Sequence, residues 1–346
     1  MALACGVDLV LELPVVYACH NARLFASAAV DILVATGVVR EMSFGMETPD
    51  LATLERLADV LNDEPEDFRA LLKMHLAEGY SFVQARSMAL DSLIPGALDF
   101  LRGSNNNLAL AYVKRIREKK YSLAPFAVER VGAGYHDREM ICGEIASATA
   151  IRAALTKGNL DAAAEGMPTE AAKQLLEARE AGHVVDESDR YWRVVKQAFI
   201  RASEVELSGI AEMREGLENR MAELAWRCDS FEEFVDACTS RRYTKGRIQR
   251  YCAHLLLRLN HETSRDFQEN GPAYIRVLGA NERGRELLGA MRKTATLPVV
   301  SGASAPFSPY ANRMMQFEHV ATELWELLTK KPRPRNEARF VPAMMS

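Results

Sequence analysis

The sequence predicts an α/β fold: a parallel sheet covered by helices, followed by a mainly helical part. Three observations predict it. A short apolar run closed by proline, a helical stretch and a second short run ending at glycine follow one another within the first 45 residues, the spacing of a βαβ unit. After Asn159 strand signals almost vanish while helical periodicity continues. The 346 residues are enough for about two domains. The change of texture puts the boundary near 167–185, around Pro168, Gly182 and the charged run from Asp186 to Arg190. The chain is thus expected to divide into 1–167 and 168–346.

Taken in order, Gly6-Val-Asp-Leu-Val-Leu-Glu-Leu-Pro14 has the length and Val/Leu content of a buried parallel strand. Leu24, Phe25, Ala28, Val30, Ile32 and Leu33 recur at helical spacing before a stop at Gly37. Arg40-Glu-Met-Ser-Phe-Gly45 is the next strand. Ligands of such sheets sit at the C-terminal strand ends. Gly45 lies at one, either as a place where a ligand meets bare backbone or as a plain turn glycine. Helices then start at Pro49-Asp50, at Asp63-Glu64-Pro65-Glu66 and after Gly79-Tyr80-Ser81. Gly103-Ser-Asn-Asn-Asn107 precedes a helix over 108–119; its amides either cap that helix or hold a base or ribose. Residues 122–131 contain Pro125 and are expected as a strand near a sheet edge. Gly132 and Gly134 make no dinucleotide fingerprint, and His136-Asp137 is either half a catalytic pair or a surface turn.

Ile145-Ala-Ser-Ala-Thr-Ala-Ile-Arg152 runs a Ser/Thr turn into an amphipathic helix. The first-turn N–H groups, the hydroxyls of Ser147 and Thr149 and the guanidinium of Arg152 are the parts of a phosphate site. They are equally the parts of an ordinary capped helix. Beyond it, helices are expected at 160–166, 169–181, 190–202, 205–228, 231–239, 244–259, 281–294 and 311–329, with extended pieces at 273–278 and 297–300. Arg241, Arg242, Lys245, Arg247, Arg250 and Arg258 fall together with no acidic residue among them, interleaved with Tyr243 and Tyr251. That is the composition either of a phosphate-contacting face with stacking rings or of a solvated basic helix. Lys330, Lys331, Arg333 and Arg335 are expected as a flexible, Pro-broken tail.

Composition narrows the function classes. A net charge of −4 gives no global basic signal, so nucleic-acid binding must rest on a local patch. The six cysteines form no C-x-x-C pair and no zinc spacing with the histidines. They are expected as reduced, buried thiols of a cytoplasmic protein. No run of about 18 apolar residues suggests a membrane span. Asp8, Glu12 and Pro14 interrupt the first apolar segment, which is therefore no signal peptide.

Ten stretches, in this order, resemble one family. They are Gly6 to Pro14, Phe25-Ala26, Phe44-Gly-Met-Glu47, Tyr80-Ser-Phe-Val-Gln-Ala-Arg86, Asn105-Asn106, Tyr135-His-Asp137, Ala146 to Arg152, Arg242-Tyr-Thr244 with Arg250, Tyr274-Ile-Arg-Val-Leu-Gly279 and Leu297-Pro298. Over nearly its whole length the chain is similar to bacterial tRNA(Met) cytidine acetate ligases, of the nucleotidyltransferase-like branch of the HIGH superfamily. The resemblance implies a Rossmann-like nucleotidyltransferase domain and a helical tRNA-binding domain. It implies activation of acetate by ATP, with Mg2+, to acetyl-adenylate, and acetyl transfer to the wobble cytidine of elongator tRNA(Met). Gly45, Asn105 and Arg130 match ATP contacts, and Ser147, Thr149 and Arg152 match the phosphate motif. Arg241, Arg242, Lys245, Arg247 and Arg250 are the leading tRNA contacts. No residue is implied as a covalent nucleophile, and the oligomeric state is not implied.

Departures from the family pattern stand beside this. Members begin with a strand and a Pro-Phe-His-Asn-Gly-His-type loop, whereas Met1-Ala-Leu aligns inside the helix that follows it. Met46 replaces a usual Ser, Ala109 a usual Gly, and Ala111 a common acidic residue. The expectation is an N-terminally truncated domain, as a fragment or a degenerate homologue, that ligates acetate inefficiently. Two alternatives remain open: a nucleotidyltransferase acting on a small metabolite, and a non-catalytic tRNA-binding remnant.

Overall fold

The computed structural model describes residues 1–130, 146–185, 188–213, 216–240, 242–302, 308–333 and 340–345. The chain forms two units: Met1–His20, Gly132–Lys293 and Leu297–Ser346 make one, and Asn21–Val131 with Thr294–Thr296 make the other. The expected boundary near 167 falls inside the first.

In chain order, β1 (Leu9–Leu11) and the single turn α1 (Val15–Ala18) open the first unit. The other unit holds α2 (Ala22–Ala35), β2 (Glu41–Met46), α3 (Leu51–Asp63), α4 (Glu66–Ala77), α5 (Phe82–Leu93), α6 (Ala97–Phe100), α7 (Ser104–Glu118) and β3 (Ala124–Glu129). The chain then returns through α8 (Ala148–Thr156), α9 (Leu160–Glu165), α10 (Thr169–Glu180), α11 (Ser188–Arg201), α12 (Glu204–Ser208), α13 (Leu217–Arg227) and α14 (Phe231–Cys238). It continues with α15 (Lys245–Leu257), α16 (His261–Asn270), β4 (Ile275–Ala280), α17 (Glu282–Thr294), β5 (Val299–Val300), α18 (Pro309–Leu328) and β6 (Ala343–Met344).

In the unit containing residues 21–131, β2 and β3 pair in parallel from Glu41 opposite Ala124 to Met46 opposite Glu129. The crossover between them is the whole of α3 to α7. Side chains alternate along β2, and Met42 and Met46 point into the core. Met46 packs with Leu54, Leu57, Leu90 and Leu110. Met42 packs with Ala26, Val30, Tyr112 and Ile116. Helix α7 belongs to both clusters, so its position is fixed by β2 from one side and by α2 and α3 from the others. Truncating fully buried Leu54 to Ala costs about 2–5 kcal/mol at such a site.

The expected pairing of β1 with β2 is not what forms. β1 pairs antiparallel with β4, Leu9 opposite Ala280 and Val10 opposite Gly279. β5 and β6 add to β4 in parallel. The parallel crossover exists, but it joins β2 to β3. Strand–helix–strand spacing fixes which helix covers a strand, not which distant strand is its neighbour. Fold class is unaffected: parallel β2–β3 pairing, a mixed sheet around β4, and a mainly helical remainder.

That remainder has its own core, with Trp192, Phe199, Phe234, Tyr251 and Cys252 at its centre. Three expectations change here. The helix expected over 205–228 is two: α12 ends at Ser208, and the backbone N–H of Ala211 turns away to Leu259. Helix α16 was not expected; Phe267 is the one large apolar residue in its ten, so it shows no stripe. The expected tail is fastened at 329–333, with Lys331 N donating to the Gly182 carbonyl at 3.0 Å and Arg190 Nη1 to the Thr329 carbonyl at 2.7 Å; Arg335 lies outside the described residues. Five cysteines are free thiols, with Cys228, Cys238 and Cys252 buried, Cys19 partly covered and Cys5 exposed; Cys142 lies outside the described residues. Burial pushes the Cys19 and Cys238 thiols up to about 12, so neither is a thiolate nucleophile near neutral pH. Among the described residues no helix is long and apolar enough to cross a membrane.

Candidate functional site

The C-terminal end of β2 is tied to the start of α7 by Glu47. The expected start of this helix at Leu108 moves back one turn, so Asn105, Asn106 and Asn107 are its first turn rather than its cap. The N-cap is Gly103, which has no side chain to offer. Two of the first-turn N–H groups, unpaired within any helix, go to Glu47 instead. Its Oε1 accepts from Asn105 N at 3.0 Å and from Asn105 Nδ2 at 2.8 Å. Its Oε2 accepts from Asn106 N at 2.8 Å. A negative charge thereby sits at the positive end of the α7 dipole.

Asn106 completes the tie. It is 1% exposed; its Oδ1 accepts from Glu47 N at 3.0 Å, and its Nδ2 donates to the Phe100 carbonyl at 2.9 Å. A Cβ on Gly103 would lie 2.6 Å from Glu47 Oε2, so a side chain there would displace the carboxylate. Burial tends to raise the Glu47 carboxyl, but the hydrogen bonds from Asn105 and Asn106 outweigh it and hold the group below its ordinary range. Glu47 is therefore ionised at neutral pH.

Gly45 and Arg130 meet at the same end of the sheet. Arg130 N donates to the Met46 carbonyl at 2.9 Å, one step past the last pair of β2 with β3. A Cβ on Gly45 would come 3.2 Å from Arg130 Cγ, so the arginine stem lies where a larger residue would crowd it. Arg130 is exposed and has no carboxylate partner among the described residues. Gly45 and Arg130 are thus neighbours, and Asn105 is bound to the residue two places after Gly45. Together they supply a cation, an amide and open backbone at parallel strand ends, where small ligands bind in such sheets.

Ser147, Thr149 and Arg152 belong to the other unit. Ser147 is the N-cap of α8; it is buried, and its Oγ accepts from Ala150 N at 3.0 Å. Thr149 is half-buried and Arg152 exposed. Gly132, Gly134, Tyr135, His136, Asp137 and Ile145 lie outside the described residues. Among the described residues no group of three or more His, Cys, Asp or Glu side chains converges on a metal position.

The basic stretch over 241–258 departs from its sequence reading in two ways. Tyr243 and Tyr251 are core residues, 9% and 0% exposed, and not free stacking platforms. Arg247 lies over both rings, 5.3 Å and 5.6 Å from their centroids. The stretch also has acidic partners, brought by other elements: Lys245 pairs with Asp236, Arg250 with Glu212 at 3.3 Å and Arg258 with Glu206 at 3.5 Å. Arg242 is exposed, and Arg247 has no carboxylate partner among the described residues. Arg241 lies outside them.

The HIGH Nucleotidyl Transferase family model matches residues 1–339. Curated relatives include the tRNA(Met) cytidine acetate ligase of Clostridium perfringens, 33% identical over 95% of this chain and 81% of its own length. Another is that of Acetivibrio thermocellus, 34% identical over 96% of this chain and 82% of its own. The crystal structure of apo Thermotoga maritima TmcAL superposes with a TM-score of 0.93 at 28% identity, covering 99% of this chain and 86% of that one. The chain belongs to the tRNA(Met) cytidine acetate ligase family. A second structure, T. maritima TmcAL bound with alpha-thio ATP, has a TM-score of 0.90 at 27% identity.

By family the protein is a ligase. One residue at this strand end that the sequence reading did not single out as a site is Glu47. The signal was present: an acidic residue two places after the glycine at the strand end. Its partner lies 58 residues on, and nothing in local spacing links the two.

Proposed function

We propose that this chain carries the acetate ligase reaction of its family, with ATP and acetate forming acetyl-adenylate and the wobble cytidine of elongator tRNA(Met) receiving the acetyl group. The observation that carries this reading is the likeness, along 95% or more of the chain, to enzymes named for that reaction. In the first step an acetate oxygen attacks the α-phosphorus and the bond to pyrophosphate breaks. In the second the cytidine exocyclic amine attacks the acetyl carbonyl, AMP leaves and the amine gives up a proton to solvent. The products are N4-acetylcytidine and AMP. Both steps need stabilised phosphate charge and a placed nucleophile rather than a covalent enzyme intermediate.

Gly45, Asn105 and Arg130 are assigned to the nucleotide, Arg130 as a cation for phosphate. Ser147, Thr149 and Arg152 are assigned to phosphate through the α8 first turn and the guanidinium. Mg2+ enters with ATP as its phosphate-bound counter-ion. Arg241, Arg242, Lys245, Arg247 and Arg250 are assigned to the tRNA backbone. Arg247 leads them, because Lys245 and Arg250 have carboxylate partners to give up first.

Two binding measurements test the reading without requiring turnover. Calorimetry with α-thio ATP should give saturable binding that Arg130→Ala weakens about 10- to 100-fold, the loss of a charge-assisted contact. Filter binding of elongator tRNA(Met) across salt should give a negative log–log slope that Arg247→Ala reduces by about one. Nucleotide binding without tRNA binding would point to a small phosphate-bearing substrate instead.

A further inference from the structure

We propose that Glu47 is a positioning residue that orients the Asn105 amide, leaving its Oδ1 as an acceptor for a donor group of the nucleotide, either a ribose hydroxyl or the exocyclic amine of the base. This rests on the ATP reading above and adds a polarity to it.

An ionised carboxylate only accepts hydrogen bonds. Glu47 Oε1 lies 2.8 Å from the Asn105 amide, so the amide must turn its NH2 group toward it. The reverse orientation would set two acceptors against each other. The same Oε1 takes the backbone N–H of Asn105 at 3.0 Å, so one atom holds the residue at two points and fixes the side-chain direction. Oε2 is held in turn by Asn106 N at 2.8 Å, and the absence of a Cβ at Gly103 leaves it room. The carboxylate is therefore not free to rotate away.

Asn105 Oδ1 accepts no hydrogen bond from any described residue, and the residue is only half-buried. An acceptor held in this way recognises donors. The phosphates of ATP near neutral pH offer none, and neither does acetate. The donors of ATP are its two ribose hydroxyls and its 6-amino group. The nucleotide contacts thus divide by chemistry: exposed Arg130 fits phosphate, and Asn105 fits the nucleoside. A glutamine at position 47 would present a donor as well as an acceptor, so the Asn105 amide would no longer have one orientation.

The test is calorimetric binding of ATP, 2′-deoxy-ATP, 3′-deoxy-ATP and purine riboside triphosphate to the wild-type chain, Glu47→Gln and Asn105→Ala. One analogue should bind the wild type about 10-fold or more weakly than ATP, the usual loss when an acceptor that the bound nucleotide covers is left unpaired. Which analogue it is separates ribose from base. In both variants that discrimination should fall below about 3-fold, a change that loss of stability alone does not produce because each variant is its own reference. The wild-type arm and Asn105→Ala stand even where Glu47→Gln folds poorly. Equal binding of all four nucleotides by the wild type, or unchanged discrimination in Glu47→Gln, overturns the positioning role and leaves the ATP reading intact. No binding of ATP by the wild type overturns both.

Discussion

Helices α7 and α8 both start from short polar runs, and they are held in opposite ways. α8 is capped from within: Ser147 stands before its first residue and accepts from Ala150 three residues on. α7 has glycine at that position and is capped by Glu47, 58 residues away in sequence. The first arrangement is a property of eight consecutive residues and would exist in many folds. The second exists only when β2 and α7 are already packed, because the carboxylate reaches the helix from the strand end. A site built on α7 therefore reports the state of the whole unit, whereas the cap bond of α8 is made within its own first turn.

The sharpest way to break this comparison is Glu47→Ala. It leaves the N–H groups of Asn105 and Asn106 without their acceptor and is expected to destabilise the protein by about 2 kcal/mol, the range for hydrogen bonds to a charged group after allowance for exposure. Denaturant melts of Glu47→Ala against Ser147→Ala check it, and equal costs would refute the contrast. The effect also has a pH signature. The folded carboxyl titrates below its ordinary value near 4.5, so its contribution is complete above that value and is lost as pH falls through the lower folded one. The stability gap between wild type and Glu47→Gln should be constant above about pH 5 and close on further acidification.

Gly103→Ala should have the next largest effect, about 1–3 kcal/mol, through the 2.6 Å approach to Glu47 Oε2. In a Glu47→Ala background the same change should cost less, since only the 3.1 Å approach to Asn106 Nδ2 remains. A double-mutant cycle by thermal melting measures the difference, and full additivity would show that the contact does not matter.

Ser147→Ala is expected to cost about 1 kcal/mol, as loss of an N-cap does, and Ser147→Asp to recover most of it. Chemical denaturation reads both. A larger loss would mean that Ser147 supports more than its own helix.

What was legible in the sequence follows the same division. The cap at Ser147, the strand ends at Gly45 and Arg130 and nearly all helix positions could be read locally, because capping and periodicity are short-range. The partner of β1 could not, since a three-residue strand carries no mark of whether β2 or β4 lies beside it. Tyr243 and Tyr251 looked like surface rings because their neighbours are cations. Arg247 in fact covers rings that belong to the core, its aliphatic stem and charge both serving the packing. The carboxylates opposite Lys245, Arg250 and Arg258 come from three other stretches of chain, so a run that is purely basic in sequence is partly neutralised in space. Glu47 was missed for the same reason in reverse: its chemistry depends on a partner that only folding brings.

The tie between Glu47 and the Asn pair also closes a loop that contains α3 to α6. Closing a flexible loop grows more costly only slowly with length, about 0.6 kcal/mol for each doubling. The turn between α4 and α5 can therefore lengthen or shorten while Asn105 keeps its place relative to β2, whereas α3 and α6 are held by core residues such as Leu54, Leu57, Ala97 and Phe100. On this view the turn between α4 and α5 is the part of the insertion most open to change in length and to grafting, and the two asparagines at the exit of the insertion mark where that freedom ends.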